Sequence, residues 1–109
     1  MPEVYEFLRN VPKSELDSIY QIKRAAKAIP AIISEGFAKR NSSKEFKRYL
    51  LIAIGSSDEV VTHLRVISIV VPNLADKVNI LMNRFITISK RLNALHKRWD
   101  LNNFRSNPR

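Results

Sequence analysis

Apolar residues recur along this chain at alternating steps of four and three, and do so for tens of residues at a time. Phe46, Leu50, Ala53, Ser57, Val60, Leu64, Ile67 and Val71 form one such series, with only Ser57 polar. Leu74, Val78, Leu81, Phe85, Ile88, Leu92, Leu95 and Trp99 form a second, and Ile19, Ile22, Ala26, Ile29, Ile33 and Phe37 a third. This spacing keeps one face of an α-helix apolar and suits near-antiparallel packing of helix on helix. It leaves little room for strands. Two glycines in 109 residues are also too few for the turns of a sandwich or barrel.

Punctuation between the stripes predicts four helices, near residues 3–10, 15–40, 43–70 and 74–99. Pro12 closes the first, and Ser14-Glu15-Leu16-Asp17 reads as an N-cap for the second. Ser42-Ser43-Lys44-Glu45 reads as a capping box, with the Ser42 hydroxyl accepting from Glu45 N–H and the carboxylate reaching back. Pro72-Asn73 ends the third helix and caps the fourth. Short connections force successive helices to run antiparallel. The expected fold is therefore all-α, an antiparallel up-and-down four-helix bundle with a shortened first helix. Residues 1–101 form a single domain and residues 102–109 a flexible basic tail.

The bundle predicts roles for its irregular residues. Folding back near residue 41 sets Gly55 opposite Ala28, where small side chains would let two backbones approach. Gly36 falls near a helix end, where its propensity cost of about 1 kcal/mol does least harm. Pro30 removes a backbone hydrogen bond and should kink the second helix. Leu51, Ile52, Ile54, Val61, Val66, Ile69 and Val70 lie outside the main stripe of the third helix, and Ile80, Met82 and Ile86 outside that of the fourth. Apolar surface on that scale predicts a homo-oligomer.

Charge narrows the function. The segment from Lys39 to Arg48 carries Lys39, Arg40, Lys44, Lys47 and Arg48 against Glu45 alone. The segment from Lys90 to Arg109 carries Lys90, Arg91, Lys97, Arg98, Arg105 and Arg109 against Asp100 alone. Together they account for the whole net charge of +9, and the antiparallel topology brings both to one pole. Cations in the last turns of helices complement the helix dipole, which accounts for Lys39, Arg40, Lys97 and Arg98. Lys44, Lys47 and Arg48 open a helix, where positive charge opposes the dipole, so they point to an anionic partner. Nucleic acid is the leading reading, with phosphate contacts from Lys39, Arg40, Lys44, Lys47 and Arg48, extended by Lys90, Arg91, Lys97, Arg98 and Arg105. A solvated basic face, an acidic protein and anionic lipid are the alternatives. Tyr49, Trp99 and Phe104 are the sparse aromatics of these stretches, and Trp99 continues an apolar stripe.

No catalytic constellation is visible. His63 and His96 lie on different helices without a metal-ligand pattern, and Glu59 and His63 read as a surface hydrogen-bonded pair. Glu35, beside Gly36, reads as a cap or an intersubunit ion pair. With no cysteine there is no disulfide, thiol chemistry or thiolate metal site. The expectation is a non-enzyme with no cofactor and no metal. The most apolar stretch, Tyr49 to Val71, is broken by Asp58, Glu59, His63 and Arg65, which argues against a membrane span. Met1-Pro2-Glu3 opens no secretory pattern, and the expected location is cytoplasmic.

Three blocks carry a resemblance. Gln21-Ile22-Lys23-Arg24-Ala25-Ala26-Lys27-Ala28-Ile29-Pro30 leads into Ile33-Ser34-Glu35-Gly36-Phe37-Ala38-Lys39-Arg40, followed by Phe46-Lys47-Arg48-Tyr49-Leu50-Leu51-Ile52-Ala53-Ile54-Gly55-Ser56-Ser57-Asp58-Glu59. In this order they resemble the bacterial four-helix bundle family encoded by intervening sequences of 23S rRNA genes, itself similar in architecture to the accessory variability proteins of diversity-generating retroelements. The resemblance covers Val4 to about Arg98. It implies a bundle assembling as a ring, a homopentamer, without catalytic activity, in a setting of nucleic acid. The chain departs from the family in its short first helix and in Ile32-Ile33-Ser34 where Asn-Ile-Ala is commoner. The resulting expectation is an oligomeric accessory protein that binds nucleic acid, structured RNA first, through its basic pole. A scaffold or adaptor docking an acidic protein partner is the alternative.

Overall fold

The computed structural model describes residues 2–106, with side chains described over residues 2–99. Four α-helices follow one another: α1 Pro2–Leu8, α2 Leu16–Ala38, α3 Ser43–Val70 and α4 Ala75–Ser106. Short 3-10 turns at Lys13–Glu15 and Pro72–Leu74 lead into α2 and α4. Among the described residues there is no strand. The fourth helix continues past Trp99 to Ser106, beyond the end near residue 99 that the spacing predicts, and residues 107–109 lie outside the described part.

Pairings along the rod fix the antiparallel order. Gly36 lies against Tyr49 while Arg24 pairs with Glu59, so α2 and α3 run in opposite senses. Phe46 meets Trp99 while Ser57 meets Phe85, which does the same for α3 and α4. Glu3 pairs with Arg84, and Asn10 shares a cavity with Lys77, so α1 runs against α4. The third helix is central and packs on both α2 and α4. This is why its apolar surface exceeds one stripe: Val61 is buried and Ile54 packs against the core, while Leu51, Ile52, Val66, Ile69 and Val70 stay exposed. On α4, Met82 and Ile86 likewise pack on the core, and Ile80 is exposed.

Two packing clusters divide the rod. The larger joins Val4, Phe7, Leu8 and Val11 with the facing residues of α2, α3 and α4, from Ile22 and Ile29 to Leu64, Ile67, Val78 and Phe85. The smaller consists of Phe46, Leu50, Ala53 and Leu92, with Ile32, Ile88, Leu95 and Trp99 packed around it. The first helix covers only the larger cluster. Ahead of its N-terminus an apolar groove of about 530 Å³ stays open between α2 and α4, lined by Pro30, Ile33, Phe37, Phe46, Leu95 and Trp99.

Several local expectations change. Gly55 is exposed and an added Cβ would meet nothing within 4 Å, so it does not serve the α2–α3 approach. Gly36 does: it is buried, and an added Cβ would lie 2.5 Å from Tyr49 Cβ. The close approach thus occurs beside the connection, where the two helices first converge. Ser14 caps nothing: it lies inside the 3-10 turn, where Leu16 N–H bonds Lys13 C=O, and the helix proper starts one residue later than a Ser14 cap would set it. Pro30 sits on an exposed face of α2, and the helix continues through it to Ala38. Ser57, the polar member of the α3 stripe, is fully buried and donates its hydroxyl to Phe85 C=O at 2.8 Å. That bond satisfies the hydroxyl where burial would otherwise be costly.

Candidate nucleic-acid interface

The basic pole is built on the α2–α3 connection. Lys39 N–H bonds Gly36 C=O at 2.9 Å and Ser42 N–H bonds Lys39 C=O at 3.1 Å, turning the chain over residues 39–42. Ser42 Oγ then accepts from Glu45 N–H at 3.2 Å and starts α3. Only half of the expected capping box forms. Glu45 turns forward instead to Arg48, whose Nε and Nη2 donate to its two oxygens at 3.3 and 3.2 Å. The reason is competition: Ser42 N–H is already bonded, while a guanidinium one turn on offers a charge-assisted fork.

An aromatic chain binds three helices together here. Phe37 and Phe46 meet edge-on with centroids 6.4 Å apart, and Phe46 and Trp99 with centroids 4.5 Å apart. Trp99 is therefore a packing residue, with its Nε1 buried and without a hydrogen-bond partner. Its contact carries the C-terminal part of α4, with exposed Lys97 and Arg98, to the α2–α3 connection. Of the second basic stretch, Lys97 and Arg98 thus stand beside the first.

Individual cations differ in what already holds them. Arg40 lies 4.1 Å above the Phe37 ring and donates from Nη1 to Phe37 C=O at 3.0 Å, a cation capping the end of α2. Lys39 Nζ donates to Tyr49 Oη at 3.1 Å, and Tyr49 Oη donates to Glu35 at 3.3 Å. The Tyr49 hydrogen bond raises the Lys39 pKa above its ordinary value. Glu35 is thus tied within its own chain, to a tyrosine rather than to an arginine. The Arg48 bond holds Glu45 below the usual carboxylate range and raises Arg48 in turn. Arg48 also stands 4.7 Å over the Tyr49 ring. Its charge at the start of α3 is therefore partly answered, contrary to the sequence argument.

Lys44, Lys47 and Arg48 together line a shallow recess of about 560 Å³ with Ser43 and Leu51 on the outer face of α3. Lys90 and Arg91 are exposed but stand beside Leu92, more than a helical turn from Trp99, so they flank the rod and are not at its end. The Arg105 and Phe104 side chains lie outside the described residues. Glu59 accepts a salt bridge from Arg24, and His63 Nε2 is 3.8 Å away, too far for the expected hydrogen bond. Among the described residues no three His, Asp or Glu side chains gather as metal ligands.

A second basic cluster is hidden in the sequence. Arg9, Lys23, Arg24 and Lys27 line a cleft of about 600 Å³ between α1 and α2, together with Tyr5 and Tyr20. The helical spacing of Tyr20, Lys23 and Lys27 is the available signal. Nearby acids in the sequence conceal it by balancing the count.

No described helix is long and apolar enough to cross a membrane. No curated protein and no solved structure matches the chain significantly. The family model of the 23S rRNA-intervening sequence protein matches residues 1–94, which takes in α1, α2, α3, most of α4 and all three ordered blocks but stops short of Lys97 and Arg98. On that match and its four-helix architecture, the chain belongs to the 23S rRNA-intervening sequence protein family.

Proposed function

We propose that this protein is a non-catalytic, oligomeric RNA-binding protein whose basic pole holds phosphates. The observation that carries the reading is the convergence of Lys39, Arg40, Lys44, Lys47, Arg48, Lys97 and Arg98 around the Phe37–Phe46–Trp99 contact, where the acids Glu35 and Glu45 also lie. Such a cluster repels itself and is relieved by a polyanion. The family's name refers to 23S rRNA, which favours RNA as that polyanion. Without a groove-reading helix or sheet module, affinity comes from backbone charge and is steeply salt-dependent. Replacing Lys44, Lys47 and Arg48 by Gln should weaken binding to a structured RNA and reduce the salt slope by about 0.7–0.9 for each phosphate no longer neutralised. An unchanged slope in a salt-titrated binding assay would remove this pole from the interface.

The outer face of α3 supports the oligomer. Leu51, Ile52, Val66, Ile69 and Val70 are exposed there, Ile69 at 70 %. Gly55, on the same helix and open to solvent, leaves a bare strip of backbone that a second copy can approach. The family resemblance supports a ring of five. Light scattering at micromolar concentration should give a multiple of 12.6 kDa, and the monomer mass would refute it.

A second reading, docking of an acidic protein, has the open α2–α4 groove in its favour, because an apolar floor beside a basic pole suits an acidic amphipathic helix. A pull-down surviving nuclease treatment, without any RNA shift at physiological salt, would favour it.

A further inference from the structure

We infer that the cleft between α1 and α2 is a second nucleic-acid site, one that takes unpaired nucleotides by stacking their bases on Tyr5 and Tyr20. This site rests on the RNA-binding reading but uses different residues at a different place. Tyr20 lies roughly 28 Å along α2 from Lys39, at 1.5 Å per residue.

The sequence outside the two basic stretches sums to neutral, but the fold does not leave it mixed. Glu3 and Glu6 line the α1–α4 side of the first helix, with Lys77 and Arg84. Arg9, Lys23, Arg24 and Lys27 line its α1–α2 side. Arg24 is already engaged, by Glu59 and by two bonds of 3.2 Å to the side-chain oxygen Oε1 of Gln21, and so braces the wall. Arg9, Lys23 and Lys27 form no ion pair among the described residues. Lys23 and Lys27 sit in mid-helix, where the helix dipole gives them no role.

Two aromatic rings share this cleft with the three cations. Tyr20 is 61 % exposed and Tyr5 36 %, so neither is buried as packing. Among the described residues, neither ring stacks on another ring or bonds through its hydroxyl. Exposed aromatics interleaved with unpaired cations are what a single-stranded site requires: a π-face for each base, and charge along the backbone that joins them. A duplex offers its phosphates but keeps its bases stacked inside, so it can use the cations and not the rings.

The test compares a uridine-rich single-stranded RNA with a blunt RNA duplex of equal length, by fluorescence anisotropy across a salt series. Tyr5→Leu and Tyr20→Leu should each weaken single-strand binding on the order of ten-fold, leaving the duplex affinity unchanged. Tyr5→Phe and Tyr20→Phe keep the ring and should bind as the parent does, which separates stacking from folding. Lys23→Gln with Lys27→Gln should lower the single-strand salt slope by about 0.7 for each cation removed. Equal losses for both RNA forms, or none for the single strand, would overturn the cleft while leaving the pole standing. Conversely, single-strand binding that survives Gln at Lys44, Lys47 and Arg48 with an unchanged slope would retain the cleft and reject the pole. A parent protein that binds neither RNA overturns both.

Discussion

An added Cβ at Gly36 would come within 2.5 Å of Tyr49 Cβ, close to the root of that side chain, where rotation cannot relieve it. Gly36→Ala must therefore push α2 and α3 apart beside their connection. Overpacking costs about 1–3 kcal/mol, which at this separation should exceed the ~1 kcal/mol that alanine gains in helix propensity. We expect a melting temperature lowered by several degrees, read by circular dichroism, together with rupture of the Lys39–Tyr49–Glu35 chain. Sequence alone assigns the close approach to Gly55 and mere tolerance to Gly36, the reverse of what the fold shows. Helical periodicity tells which face a residue occupies. It does not tell how near the facing backbone comes, and that separates a required glycine from a tolerated one. Glu45 is unreadable for a similar reason, since Ser42 and Arg48 both lie within reach and only the geometry of the turn decides.

At the scale of elements the sequence is far more legible. The 4-3 stripes and the Ser42 cap locate α3 at Ser43–Val70, because each signal is local and both act on the same helix. The Pro72–Leu74 turn is legible from its proline. What periodicity cannot supply is the partner of each apolar face. Val61 and Ile54 lie off the main stripe of α3 yet pack inward, because a central helix presents two faces to its neighbours. Leu51, Ile52, Val66 and Ile69 share its remaining face, and Gly55 lies among them in the helix interior. Gly55→Ala isolates the role of that face. With nothing within 4 Å, it should stabilise the monomer by roughly 1 kcal/mol through helix propensity. In an oligomer closed across that strip, the same change should weaken assembly. Light scattering over a dilution series would show dissociation at a higher protein concentration than for the parent. Unaltered assembly would place the subunit contact elsewhere.

For the whole molecule, the fold sorts charge that the sequence interleaves. Counting along the chain finds the pole, since Lys39–Arg48 and the end of α4 are strongly basic runs. The same counting misses the α1–α2 cleft, because Glu3 and Glu6 offset Arg9, Lys23 and Lys27 on paper while facing another helix in space. Separation of the apolar residues is as consequential. The first helix closes over one cluster and leaves the other, around Phe46, Leu50, Ala53 and Leu92, with three helices and an open groove. The rod therefore has no single interior, and its two halves should not exchange amide protons at one common rate. Protection in native-state exchange should be greatest around Ile22, Leu64, Ile67 and Phe85, and lower around Ile33, Leu50 and Leu95, through openings that leave the α1 half intact. Uniform protection along α3 would contradict this. Lys39, Arg48 and Arg98 would then ride on the half of the rod that opens more readily. Ligand that orders this end should slow its exchange first, writing the footprint of binding into the interior of the bundle as well as onto its surface.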